Sequence, residues 1–121
     1  QTQCVFNVPK FAEWMKMVRD LGVHEKIYIL AGITPFKSIG AARYMKNSVP
    51  GMDVPDEMIK RLQGVPKEQV ADEGIKIAVE IIEQVRQIEG VAGIHVMAVE
   101  WEEKVPDILK AAGLLPRPDV F

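Results

Sequence analysis

The run Ile27-Tyr28-Ile29-Leu30-Ala31-Gly32-Ile33-Thr34-Pro35 constrains this chain more than any other stretch. It is apolar on both faces, rich in β-branched residues, and stopped by a Gly and a Pro. A strand of that kind belongs in a parallel sheet covered from two sides, because a half-solvated strand alternates apolar with polar residues. Phe36-Lys37-Ser38 and a helical pattern follow. The run therefore reads as a strand feeding a βα loop, the place where parallel folds carry their chemistry.

Weaker strands are expected at Gln3–Phe6 and Gly93–Val99. In the first, alternation sends Gln3 and Val5 to one face and Cys4 and Phe6 to the other. Asn7 and Pro9 then supply a helix start. Phe11, Trp14, Met15, Val18 and Leu21 recur at helical spacing, and Gly22 stands where a left-handed C-cap is wanted. A helix is expected over 38–47, weakened by Gly40. Asp53-Val54-Pro55 reads as the cap of a short helix carrying Met58, Ile59 and Leu62 inward. The longest helix runs from about Lys67 to Glu89 on a stripe of Val70, Gly74, Ile77, Ala78, Ile81, Val85 and Ile88, with acids at its start to suit the dipole. Pro106 opens a last helix, and an extended tail, Leu114–Pro118, follows.

This order, β-α-β-α-α-α-β-α, implies an α/β fold with a parallel sheet and right-handed crossovers. Three strands alone leave unpaired edges. The chain also opens at Gln1 inside a strand pattern, without an initiator Met. Residues 1–121 are therefore expected to be one portion of a single larger α/β domain. With 26% charged residues, a net charge of −2 and no basic run, an electrostatic footprint for nucleic acid is not expected. No stretch reaches the roughly 20 apolar residues of a membrane span. A single cysteine suits a reducing, cytoplasmic setting.

The strand ends carry few chemical groups. Gln3 offers donors and an acceptor that suit the amide-like edge of a heterocycle, or it is a polar residue at a strand start. Gly32 reads as a tight turn, a close approach of a ligand or of backbone, or both. No phosphate-binding glycine motif is present. His95, within an apolar strand, reads as structural and hydrogen-bonded to a neighbour; His24 reads as exposed, and neither has partners at metal-ligand spacing. Cys4 has no activating base and reads as a small buried residue. Glu100, Glu102 and Glu103 read as a solvated charge run. Trp101 either stacks on a ligand or packs against the last helix.

Three stretches together resemble the methylenetetrahydrofolate reductase family. Thr2-Gln3-Cys4-Val5-Phe6-Asn7 is similar to the family's sixth strand. Leu30-Ala31-Gly32-Ile33-Thr34-Pro35 resembles its P-G-I-x-P seventh strand, with Ala31 in place of the first Pro. Gly93-Ile94-His95-Val96 resembles its G-x-H-F-Y-T-L-N eighth strand. The resemblance implies the last three βα units of a (βα)8 TIM-type barrel. It implies an oxidoreductase that reduces methylenetetrahydrofolate through FAD, with most FAD-binding residues upstream. It implies that Gln3 touches the folate pterin; Gly32, Tyr44 and Trp101 are further candidate substrate contacts. No catalytic or metal-ligating residue is expected within the chain. Ala41, Met45 and Met97-Ala98-Val99-Glu100-Trp101 depart from the family pattern. The electron donor is therefore expected to be NAD(P)H or a partner protein, and a homo-oligomer or the rest of the barrel is expected to cover the open edges. A non-catalytic scaffold subunit, and a reductase of another pterin one-carbon carrier, are the alternatives.

Overall fold

The computed structural model describes residues 1–116. Its elements are α1 (Val8–Asp20), β1 (Ile29–Ile33), α2 (Ile39–Ser48), α3 (Asp56–Gln63), α4 (Val70–Val85), β2 (Val91–Val96) and α5 (Val105–Ala111). β1 pairs in parallel with β2, Gly32 standing opposite His95 and Ile33 opposite Val96. Beyond β1's other edge the N-terminal segment makes a parallel bridge from Cys4 to Gly32. Thr2 N and Val5 N donate to Leu30 O and Gly32 O at 2.9 and 2.8 Å. β1 is thus central, as its apolar run requires.

Several elements differ from the sequence reading. The N-terminal segment bends at Gln3 and is a bridge, not a strand. Its strict alternation fails, since Cys4, Val5 and Phe6 are all buried. β1 is shorter than its apolar run: Ile27 is exposed and Tyr28 is 87% exposed, because a single 3₁₀ turn at Val23–Glu25 delays the strand. β2 starts two residues earlier and ends three earlier than expected. α4 gives up its first three expected residues to a 3₁₀ turn at Lys67–Gln69 and stops at Val85. Of Asp53-Val54-Pro55, Pro55 takes the cap position of α3, without a side-chain hydrogen bond. Trp14 and Leu21 are 40% and 76% exposed, so the inward stripe of α1 narrows to Phe11, Met15 and Val18. Of the extended tail, Arg117 and Pro118 lie outside the described residues.

The helix termini follow their local chemistry. Asn7 Oδ1 accepts from Lys10 N at 3.2 Å and Ser38 Oγ from Ala41 N at 3.0 Å, each relieving an N–H that the helix leaves unpaired. Gly22, at φ +71°, supplies the left-handed residue after α1.

α4 is the hub of the core, packing on α1, α3, α5 and β1. Its Ile77, Ile82 and Val85 join Met15, Ile33, Phe36, Leu62 and Ile108 in the fully buried set. Arg61 ties α3 to α4, its Nη1 donating to Glu80 at 2.5 Å and its Nη2 to Glu73 at 2.7 Å. Glu80 foremost, then Glu73, raises the guanidinium above its ordinary value against the opposing effect of burial. Because the arginine is only partly buried, Arg61→Ala is expected to cost about 1 kcal/mol, with a smaller loss in high salt. Chemical denaturation of both proteins at low and high salt checks this.

Candidate functional site

The ends of the three extended segments are tied together by side chains. Phe6 stacks on Phe36 with ring centroids 4.9 Å apart and planes 12° apart. Lys37 Nζ, after β1, donates to Glu100 O, after β2, at 3.1 Å. Glu100 holds φ +53°, a left-handed conformation uncommon outside glycine, at the tip of a turn closed by Trp101 N and Ala98 O. Strained residues of this kind are kept where surrounding structure over-determines them.

A cleft of about 470 Å³ runs along the outer side of the N-terminal segment. Val5, Phe6, Phe11 and Trp14 give it an apolar wall, and Gln3, Asn7, Lys10 and Asp53 bring polar groups to it. This is the usual form of a small-molecule site: apolar lining with a few polar groups that orient the ligand. Gln3 is exposed, and its Oε1 accepts from Cys4 N at 3.2 Å. A backbone N–H can only donate, which fixes the amide orientation and leaves Nε2 as the free end. Gln3 therefore presents donors, and it can read a carbonyl oxygen or a ring nitrogen.

Gly32 is buried behind Gln3. A Cβ there would stand 2.7 Å from Thr2 O, 3.0 Å from Gln3 O and 2.8 Å from Met97 Cε. Its close approach is to the chain's own backbone. Thr2 Oγ1 also accepts from Gly32 N at 3.0 Å, so the strand and the segment bearing Gln3 are locked together.

Of the four residues expected to contact substrate, only Gln3 lines the cleft, with Gly32 packed against its backbone. Tyr44 is exposed on α2, away from it. Trp101 is 6% exposed, which leaves no free face for a ligand to stack on and fits its packing role instead. Cys4 is buried as expected, its Sγ 2.8 Å from Thr34 Oγ1. Burial pushes the thiol up and the Thr34 contact opposes it, so Cys4 stays protonated near neutral pH. His95 Nδ1 has no hydrogen-bond partner, contrary to the sequence reading, and His24 is half-buried with the same feature at Nδ1.

Sequence reasoning missed the role of Asp53. Asn7 Nδ2 donates to Asp53 Oδ2 at 3.0 Å, and Lys10 Nζ lies 3.5 Å from the same oxygen. A contact between residues 46 apart leaves no periodic signal. Among the described residues no group of three or more His, Cys, Asp or Glu side chains is arranged to hold a metal. No helix among them is long and apolar enough to cross a membrane.

The family model of methylenetetrahydrofolate reductase matches residues 1–113. The chain belongs to the methylenetetrahydrofolate reductase family. None of the curated proteins compared with the chain matches it. Membership supports a methylenetetrahydrofolate reductase-like function in general, that of an oxidoreductase in folate one-carbon metabolism. Family members are generally flavin-dependent. The polar side chains of the cleft are Gln1, Thr2, Gln3, Asn7, Lys10 and Asp53, with Asn7 and Lys10 both engaged with the Asp53 carboxylate. The one cationic side chain that could meet a pyrophosphate, Lys10, is already paired with Asp53. These residues do not make an FAD site.

Proposed function

We propose that this chain forms the last three βα units of a (βα)8 barrel that reduces methylenetetrahydrofolate to methyltetrahydrofolate, and that its part is to bind the pterin. The observation that carries the reading is the free Nε2 of Gln3, presented in an apolar-walled cleft next to the backbone of Gly32. A pterin offers the acceptors that such an amide reads, and its flat ring system suits Trp14, 40% exposed and backed by the buried Phe11 with ring centroids 5.8 Å apart. Among the described residues no strand pairs with the outer edge of β2, which supports the barrel reading, since parallel sheets are covered and continued on both sides.

In this reading FAD is held by the other barrel units, and the hydride chemistry is the cofactor's. NAD(P)H or a partner protein supplies the electrons, and the setting is cytoplasmic. The departures at Ala41, Met45 and Met97 through Trp101 leave the electron donor as the most variable part.

The test is reduction of methylenetetrahydrofolate by the purified full-length protein and by Gln3→Ala. The variant is expected to lose about ten-fold in kcat/KM, the effect of one hydrogen bond to an uncharged group. A full-length protein without flavin, or an unaffected Gln3→Ala, counts against the reading. The burial of Trp101 favours a second reading, a barrel-derived scaffold subunit that kept the fold without all its ligand contacts. Turnover of folate at ordinary rates excludes it.

A further inference from the structure

We infer that Asp53 is a positioning residue for the ligand at Gln3, acting through Asn7 from the connection between α2 and α3. The inference rests on the proposed pterin cleft and extends it to the connection that leads into α3. Gln3, Asn7, Lys10, Gly51 and Asp53 all line the same cleft. Asn7 uses both ends of its amide: Oδ1 caps α1 at Lys10 N, and Nδ2 donates to Asp53. The connection passes directly against the reading amide. A Cβ on Gly51, which turns the chain at φ +83°, would lie 3.8 Å from Gln3 Cγ and 4.0 Å from Nε2.

Asp53 thus joins two walls of the cleft: the segment bearing Gln3 with α1 behind it, and the turn facing the Gln3 side chain. Without the carboxylate the turn loses its tie to Asn7, and the amide loses a fixed neighbour on its free side. The ion pair with Lys10, at 3.5 Å between exposed groups, adds little. The hydrogen bond from Asn7 is the operative contact. Asparagine at position 53 keeps an oxygen to accept it.

The experiment is steady-state reduction of methylenetetrahydrofolate by the full-length protein. The variants are Asp53→Ala, Asp53→Asn, Asn7→Ala and the double Asp53→Ala/Asn7→Ala. Asp53→Ala is expected to raise KM for the folate on the order of five-fold, the worth of one such hydrogen bond. Its kcat and its KM for the electron donor stay near wild type. Asp53→Asn restores most of the loss. The double variant is no worse than Asn7→Ala alone, because both remove the same contact. A KM for folate that does not move in Asp53→Ala overturns the inference while leaving the pterin reading in place. So does a loss of kcat and of melting temperature in parallel, which marks a purely structural role. A wild-type protein that neither binds nor reduces methylenetetrahydrofolate overturns the pterin reading, and this inference with it.

Discussion

Gly74→Ala is expected to destabilise the protein by about 3 kcal/mol or more, although alanine is the better helix former by about 1 kcal/mol. Gly74 lies inside α4 where the helix crosses the loop after β1. A Cβ there would sit 1.9 Å from Phe36 O and 2.9 Å from its carbonyl carbon. Those atoms are backbone, and they belong to the residue that stacks on Phe6 and is itself fully buried. Neither side can yield by a rotamer change, so α4 and the loop must move apart, and tightly packed interiors resist that. Gly40→Ala supplies the internal control. Gly40 is an exposed residue of α2 whose nearest outside atom is Ser38 Oγ at 3.8 Å. The same substitution there is expected to stabilise by about 0.5 to 1 kcal/mol. Urea denaturation of the two variants should show midpoints moving in opposite directions. Equal shifts would mean that the helix does not approach the loop as closely as described.

Gly32→Ala is expected to act on ligand binding as well as on stability. The methyl group would meet the carbonyl oxygens of Thr2 and Gln3 and the Cε of Met97. Met97 can swing aside; the two carbonyls cannot without displacing the segment that carries Gln3. A loss of about 2 kcal/mol in stability is expected, within the usual range for overpacking. A loss in kcat/KM at least as large as that of Gln3→Ala should accompany it, because the whole segment shifts. Combining Gly32→Ala with Met97→Ala separates the two obstacles. If Met97 were the one that matters, the double variant would recover; with the backbone as the obstacle it stays impaired.

The two glycines show where reading from residues to structure succeeds and where it stops. Gly74 was recognisable as part of the α4 stripe, and Gly32 as a glycine at a strand end with either a turn or a close approach to explain it. What each approaches was invisible, since the backbone neighbours lie 38 and about 30 residues away in the chain. Trp14 and Leu21 are the opposite case. Their spacing fits an inward stripe, yet both are exposed, because periodicity fixes which residues share a face and not how wide the covered part of that face is.

The local grammar of the chain decided a good deal. Apolar runs bounded by Gly and Pro fixed the parallel strands, Asn7 and Ser38 fixed two helix starts, and Gly22 fixed a stop. Three short motifs at strand ends were enough for the family. These signals are short-range, carried by backbone preference and side-chain period, so they survive in a linear reading. The cleft is of another kind. That Gln3 shows its donors, that Trp101 is buried, and that Asp53 reaches Asn7 all depend on which segments are brought together. Such contacts arise from packing between distant parts of the chain, and packing leaves no period to read.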